Sequence, residues 1–393
     1  MLDGTSHSGT TIVSRAALAH HPRWQRAFAG RRKDHRYYEI VEDTIPFFDY
    51  RYILITDVGG AVAAIQPCFV LDQDLLQGAK RHVASVAARV RRYWPRFMFM
   101  RTLMIGCAAG EAHIDAEAAS APAAMARLAA AITQLARAAN AQLIVLKEFP
   151  ADYRQALTCF LETRFTRIPS MPMAVLDIIY PSFEDYVSHA LSSKTRKDLR
   201  RKLRVAEKSA PIKTAAVADI TTVIDDAYPL YLRVYERAKL RFEKLTKEYF
   251  IRLGRDMPDV ARFFVWRQDG RIVAFALCMI EGDTLYGEYL GFDYTVALDL
   301  HLYHYVFRDV VKWAIANGFK SFNSSGLNYD PKLHLKYRLK PLDLYVKHTS
   351  PLFNALLRRL LPLLEPTRQE KILRKFPNYN ELWRDTDKAP PSS

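Results

Sequence analysis

Cysteine is scarce in this chain, and the four present stand far apart: Cys68, Cys107, Cys159 and Cys278 in 393 residues. That spacing excludes a disulfide framework and a clustered zinc site, and reads as ordinary buried thiols. Long apolar runs are missing too. The two best, Phe97–Gly110 and Leu352–Leu364, are interrupted by Arg101 and by Arg358 and Arg359. Neither reaches the roughly 18 apolar residues that a spanning helix needs. Met1–Thr11 is polar and carries no apolar signal core, so a cytoplasmic chain is expected. The stretch Asn323-Ser324-Ser325-Gly326 lacks the G-x-S-x-G elbow, which argues against a serine hydrolase. Acid is short relative to base: 42 Asp plus Glu face 57 Lys plus Arg, a net charge of +15. The surplus suits an anionic partner: nucleic acid, a membrane surface or a small molecule. What the chain does have is apolar mass, 50% of residues with 12% aromatic, enough for two or three packed domains.

Periodicity divides the chain into two similar halves. In the first, strands at 51–57 and 61–71 flank the turn Gly59-Gly60. A helix at 78–93, a strand at 97–105, an Ala-rich helix at 122–140, a strand at 141–147, a helix at 152–163 and a strand at 174–179 follow. After a break near Pro181 comes a basic helical segment, 182–208. The second half then runs strand 211–217, helices 219–239 and 246–256, a hairpin through Asp269-Gly270, and a strand over Leu285–Phe292. It continues with a long helix at 297–317 and strands at 320–323 and 343–348. A helical tail occupies 351–376 and a disordered end Ala389–Ser393. The expected units are a flexible 1–30, a structural 31–181, a catalytic 182–350 and a tail 351–393.

The most distinctive residues are Leu191-Ser192-Ser193-Lys194-Thr195-Arg196 and the following Lys197-Asp198-Leu199-Arg200-Arg201-Lys202-Leu203-Arg204. Next are Tyr289-Leu290-Gly291-Phe292-Asp293-Tyr294 and Trp313–Lys320, then Tyr329-Asp330-Pro331-Lys332. Their order resembles the Fem-like branch of the GNAT acyltransferase superfamily, the peptidoglycan-biosynthesis or cellulose-associated type. The resemblance covers about residues 145–349. It implies an α/β fold of tandem GNAT-like domains, each a mixed central sheet flanked by helices. It also implies acyl transfer from acyl-CoA to an amine acceptor, without a metal. Two features depart from the pattern. Lys336 stands where the family often has Gly, and no R/Q-x-x-G-x-G/A loop occurs between Gly291 and His301. The donor therefore stays open between acyl-CoA and aminoacyl-tRNA.

Acyl transfer to an amine needs a proton acceptor, a polarised carbonyl and fixed reactants. In the GNAT fold the acyl carbonyl lies beside the strand that corresponds to Leu285–Phe292. Alternation places Tyr286, Glu288, Leu290 and Phe292 on one face and Gly287, Tyr289 and Gly291 on the other. Gly287 and Gly291 either admit the acyl or pantetheine arm, with Tyr289 beside them, or accommodate packing. Glu288 is the candidate general base, or a paired strand carboxylate. Asp293 orients the amine or caps a turn. Tyr303 and Tyr329 are candidate acids for the leaving thiolate. By resemblance Lys332 faces the acyl site and stabilises an oxyanion or a phosphate. Asn323, Ser324 and Ser325 are candidate substrate contacts. Arg196, Arg200 and Arg201 on the basic helix would meet phosphates of coenzyme A, tRNA or a lipid headgroup, or form a solvated face.

His301 and His304 lie three apart without an evident third ligand, so a packing stripe is the better reading. The tail Leu352–Leu364 packs on the sheet or docks at an anionic membrane. Ser192–Lys208 holds eight basic and two acidic residues, which gives the net charge an address. It shifts the expected anion from a nucleic-acid duplex to a phosphate-bearing donor or headgroup, and specific DNA binding is not expected. A non-catalytic module that binds anions or membrane is the alternative from another class.

Overall fold

The structure is a computed structural model and describes residues 6–7, 9–76, 81–115, 121–208, 211–238 and 241–384. The start of the helix expected from Gly78 and the end at Ala389–Ser393 lie outside the described residues. In chain order the strands are β1 (Ser6–His7), β2 (Thr10–Val13), β3 (Asp49–Thr56), β4 (Val62–Asp74), β5 (Phe99–Ile105), β6 (Leu143–Pro150), β7 (Thr166–Pro169) and β8 (Met173–Asp177). The remainder are β9 (Ile212–Val217), β10 (Ala261–Gln268), β11 (Arg271–Glu281), β12 (Thr284–Phe292), β13 (Ser321–Ser324), β14 (Arg338–Lys340) and β15 (Leu342–His348).

Among the described residues these make two mixed sheets, ordered β1-β2-β3-β4-β5-β6-β15-β7 and β14-β8-β13-β12-β11-β10-β9. The repeated grammar of the sequence is real. Hairpin β3–β4 leads to β5, then helix Ala121–Ala138, then β6 parallel to β5. Hairpin β10–β11 leads to β12, then helix Leu302–Ala316, then β13 parallel to β12. A parallel neighbour requires a crossover, and each helix supplies one. The chain is therefore α/β with tandem GNAT-like units. The halves also exchange strands at their borders: β8 lies in the second sheet and β15 in the first.

Ala121–Ala138 forms because Ala costs no side-chain entropy and Met125, Leu128, Ile132 and Leu135 repeat at three and four. All four are at most 1% exposed against the outer face of the first sheet. Asn140 ends the stretch in the left-handed region, φ +54°. At the second hairpin Asp269 and Gly270 both have positive φ, as a two-residue turn demands. The largest core lies between the sheets and joins Tyr37, Phe69 and Val145 to Tyr249, Phe275 and Leu277. Another covers the outer face of the second sheet, under helices Phe183–His189, Ser193–Lys208 and Leu302–Ala316.

Several expectations change. Residues 10–30 do not form a flexible lead. Thr10–Val13 pairs with β3, and Trp24 and Phe28 are 1% and 4% exposed in the central core. Their apolar side chains are few and lack a period, so the burial is purely tertiary. The basic segment is two helices, because Ser192 Oγ accepts the Thr195 amide and starts a new one. The helix expected at 297–317 begins at Leu302, after His301 at φ +50°. Helix Asp152–Thr163 reduces to a turn at Ala151–Tyr153 and a short helix Thr158–Glu162. Helices His35–Thr44 and Tyr329–His334 were not expected.

Candidate functional site

The second sheet opens at one point. β12 pairs with β13 only from Thr284 opposite Ser321 to Gly287 opposite Ser324. Beyond that pair, Tyr289–Phe292 pairs with β11 alone among the described strands. A bulge sits at the same place: Leu277 faces Tyr289 and Cys278 faces Gly287, so Glu288 is the extra residue. Strict alternation along β12 therefore fails. Tyr286, Glu288 and Tyr289 all turn toward the first half, while Gly287 lies on the other face with Leu290 and Phe292.

Glu288 meets a buried charge cluster there. Its Oε1 accepts from Arg32 Nε at 2.8 Å. Arg32 also pairs with Glu111, and its Nη1 lies 3.7 Å from Glu281 Oε2 without a hydrogen bond. The guanidinium stacks 3.6 Å over the Tyr286 ring. Lys33 Nζ bonds Glu111 Oε2 at 2.8 Å, and Arg31 bonds Glu281 at 2.9 Å. Three consecutive cations of the N-terminal segment are thus answered by Glu111 of the first half and by Glu281 and Glu288 of the second. Burial opposes charge on Glu111, but Arg32 and Lys33 prevail and hold its carboxyl well below the ordinary value. Gly110, at φ +83°, makes room: a Cβ there would sit 2.3 Å from Lys33 Nζ and 3.8 Å from Glu288 Oε2.

A second polar group adjoins it through Gly110. Lys147 Nζ bonds Glu148 Oε2 at 2.7 Å and the Gly110 carbonyl at 3.0 Å. The Tyr289 hydroxyl donates to Glu243 Oε1 at 2.9 Å in the central core. Burial raises the Glu243 carboxyl above its ordinary value.

On the other limb of the fork, Ser324 is the last residue paired with β12, and the Ser325 carbonyl accepts from Lys332 Nζ at 2.5 Å. The Leu327 carbonyl takes a second bond at 2.7 Å. Lys332 is 5% exposed and has no carboxylate partner among the described residues, so burial lowers its pKa to about 7. Asn323 Oδ1 and Ser324 Oγ are buried without a hydrogen-bond partner among the described residues. Glu288 directly follows the last ladder residue of β12, and Lys332 bonds the residue directly after the last ladder residue of β13.

The other candidates disperse. Gly287 and Gly291 serve packing: a Cβ on Gly287 would meet Phe322 at 3.1 Å, and one on Gly291 would meet Phe275 at 2.3 Å and the Tyr231 amide at 2.8 Å. Gly291→Ala is expected to destabilise by about 1–3 kcal/mol in urea titration, with an unchanged midpoint as the contrary result. Asp293 caps the turn after β12, accepting from the Thr295 amide and hydroxyl and from Arg233 at 2.6 Å. Burial opposes its ionisation, but these donors outweigh it and lower the pKa.

Tyr303 packs on the outer face of the second sheet, away from the Arg32 cluster, and burial raises its pKa. Tyr329 is buried, with its proton given to the Pro172 carbonyl at 2.7 Å. On the basic helix, Leu199 is buried, Arg200 is exposed and Arg201 pairs with Asp198. Arg196 is half-buried and donates to the Ser188 carbonyl. Arg201 and Lys202 lie close enough to His301 to help lower its pKa, after burial. His304 faces Lys202 at 3.3 Å, and burial with that cation lowers its pKa to about 4. Among the described residues no cluster of His, Cys, Asp or Glu is placed to hold a metal ion, and the four cysteines are free. No described helix is long and apolar enough to cross a membrane.

Sequence reasoning missed Arg32, Lys33, Glu111, Glu281 and His113, whose Nε2 lies 3.6 Å from Glu111 Oε1. The signal was the run Arg31-Arg32-Lys33-Asp34, and the acids that punctuate the small-residue stretch Gly106–Asp115. Nothing in either stretch says that the two meet.

No curated protein matches the chain. The FemAB-like family, described as peptidoglycan biosynthesis/recognition, matches residues 59–343. The crystal structure of FemX superposes with a TM-score of 0.51 at 13% identity, covering 89% of this chain and 99% of that one. L-PGS from Bacillus licheniformis gives 0.48 at 13% identity, covering 82% and 94%. Saccharomyces cerevisiae N-myristoyltransferase with bound myristoyl-CoA gives 0.43 at 12% identity, covering 88% and 80%. At these identities such likeness speaks of fold alone. The family match spans most of the chain, and the tandem sheets agree with the superposed folds; the chain belongs to the FemAB-like family.

Proposed function

We propose that the chain is an N-acyltransferase that moves an acyl group from acyl-CoA to an amine on a metabolite, envelope precursor or lipid. The observation that carries this reading is the fork between β12 and β13, with Lys332 at its limb. A segment that loses one ladder neighbour offers alternate backbone amides to a carbonyl. Ser324 Oγ, buried without a partner among the described residues at the last ladder pair, suits a polar ligand there. The amine nitrogen attacks the thioester carbonyl, its proton passes to a base, and the coenzyme A thiolate leaves. Lys332, about half neutral near pH 7, is suited to take that proton and return it to the thiolate. Glu288, the other candidate base, is engaged by Arg32 and positions the fork instead.

The exposed Arg200 and Arg201 would meet donor phosphates beside the start of helix Leu302–Ala316. Residues 31–181 act as a structural partner to 182–350 in this reading, and the protein works in the cytoplasm, at or near an anionic membrane face.

Calorimetric titration of the pure protein with a panel of acyl-CoAs is expected to show binding to at least one. No binding to any would overturn the acyl-CoA reading. The exposed basic helix favours one second reading, aminoacyl-tRNA as donor. That reading requires tRNA retention that weakens steeply with salt.

A further inference from the structure

One end of the first sheet collects apolar side chains that the described chain leaves uncovered. The Arg101 carbonyl accepts the Gln142 amide at 2.8 Å, and the Gln142 carbonyl accepts the Thr349 amide at 2.8 Å. The starts of β5 and β6 and the end of β15 therefore lie side by side. Two segments emerge from this end: residues 93–98, which lead into β5, and helix Pro351–Leu364, which follows β15.

The helix uses one stripe to hold on. Asn354 is buried, with its amide donating to the Arg164 carbonyl, and Leu357 and Leu361 pack on the central core. The opposite stripe is bare: Leu352 is 77% exposed, Leu356 55% and Leu360 42%, with Phe353 beside them at 58%. Spacing of four keeps Leu352, Leu356 and Leu360 in line. From the other segment Tyr93 and Trp94 stand 90% and 62% exposed.

The charge around these residues is nearly all positive. Arg358 and Arg359 are exposed, and the helix contains no acid. Arg89, Arg92 and Arg96 flank Tyr93 and Trp94; Asp72 pairs with Arg96, and Asp74 with Arg91. At the foot of the helix Lys347 has its pKa lowered by burial and by Arg137 and Arg164. A symmetric contact with a second copy would press these arginines together. An anionic surface with an apolar interior matches both the charge and the Leu, Phe and Trp side chains.

We propose that this end of the first sheet docks on an anionic phospholipid bilayer. The Leu352–Leu356–Leu360 stripe, Phe353 and Trp94 enter the headgroup boundary, and the arginines meet lipid phosphates. A cleft of about 350 Å³, walled by Asp74, Phe99, Arg241 and Phe242, opens at the same end. Phe242 continues inward to the Lys147 ammonium, 5.2 Å from its ring. The surface thus leads toward the interdomain core. The inference gives a location to the membrane contact named above and rests on that reading only in its partner.

The test is co-sedimentation of the full chain with vesicles of phosphatidylcholine alone, and of phosphatidylcholine mixed with phosphatidylglycerol. Binding is expected only to the mixed vesicles. Leu356→Glu and Trp94→Ser should each weaken it roughly tenfold. Arg358→Ser and Arg359→Ser should each weaken it about fivefold. All four residues are exposed, so acyl-CoA titration and circular dichroism should be unchanged in the variants. Failure of the wild type to sediment with mixed vesicles overturns the proposal. So does an unchanged Leu356→Glu variant, or a dimer in sedimentation velocity that Leu356→Glu dissolves. Loss of acyl-CoA binding with vesicle binding intact would instead remove the donor reading.

Discussion

Replacing Arg32 by alanine is expected to destabilise the protein by about 3–5 kcal/mol, the largest effect of any single substitution argued above. The residue is 1% exposed and faces Glu111, Glu281 and Glu288. Alanine leaves those carboxylates buried with Lys33, the half-exposed Arg31 and the His113 ring to answer them among the described residues. It also removes the guanidinium that covers Tyr286. Because Glu111 and Glu288 come from different halves, the loss should appear as loosening between the halves as well as lower stability. Hydrogen exchange would read this in β12 and in the Gly106–Asp115 stretch.

Neutralising a partner should recover part of the loss. Arg32→Met with Glu288→Gln should be more stable than Arg32→Met alone, since one unanswered charge is gone. A urea titration in which Arg32→Ala shifts stability by less than about 1 kcal/mol would falsify the view that the cluster latches the halves.

The second large effect is on activity. Lys332→Met is expected to lower kcat by about 10²–10⁴-fold, the range for removal of a positioned proton-transfer group. The wild-type rate should rise through pH 7 as Lys332 loses its proton, and the variant should lack that limb. The stability of the variant should move opposite to its activity. The folded-state pKa of Lys332 lies below the ordinary 10.5, so the unfolded chain binds more protons between about pH 7 and 10.5. Its contribution to stability therefore rises with pH across that window and is least favourable below 7. Lys332→Met removes the buried cation and should stabilise the protein at neutral pH by a few kcal/mol. A variant that is more stable and nearly inactive distinguishes a functional lysine from a structural one. Full activity in Lys332→Met would end the proposed role.

The helix through Met125, Leu128, Ile132 and Leu135 could be read directly, because an apolar stripe at 3.6-residue spacing has one stable solution on a sheet. The hairpin at Asp269-Gly270 was equally plain, because the turn demands positive φ at both positions. The strand that carries Glu288 was placed correctly, yet its side chains were assigned by strict alternation. One inserted residue re-aims Glu288, and a bulge is set by the register of two strands rather than by either alone. Gly287 and Gly291 look the same in sequence whether they admit a ligand or a phenylalanine ring. Only the positions of Phe322 and Phe275 separate the cases. Lys332 was marked by its motif, while its burial away from every described carboxylate became visible only with the chain folded.

By itself, then, the sequence determined the periodic elements, the doubled order of hairpin, strand, helix and strand, the basic helix and the Fem-like motifs. These depend on local spacing and on residues close together in the chain. The tertiary structure alone decided what lies between the halves. Arg32 and Glu288 are 256 positions apart, and burial of their charges exists only once both sheets are assembled. The same holds for the exchanged strands β8 and β15, for the burial of Trp24, and for the bare apolar stripe at the end of the first sheet. Each depends on which surfaces meet, and that is fixed by contacts distant in sequence, not by any local pattern.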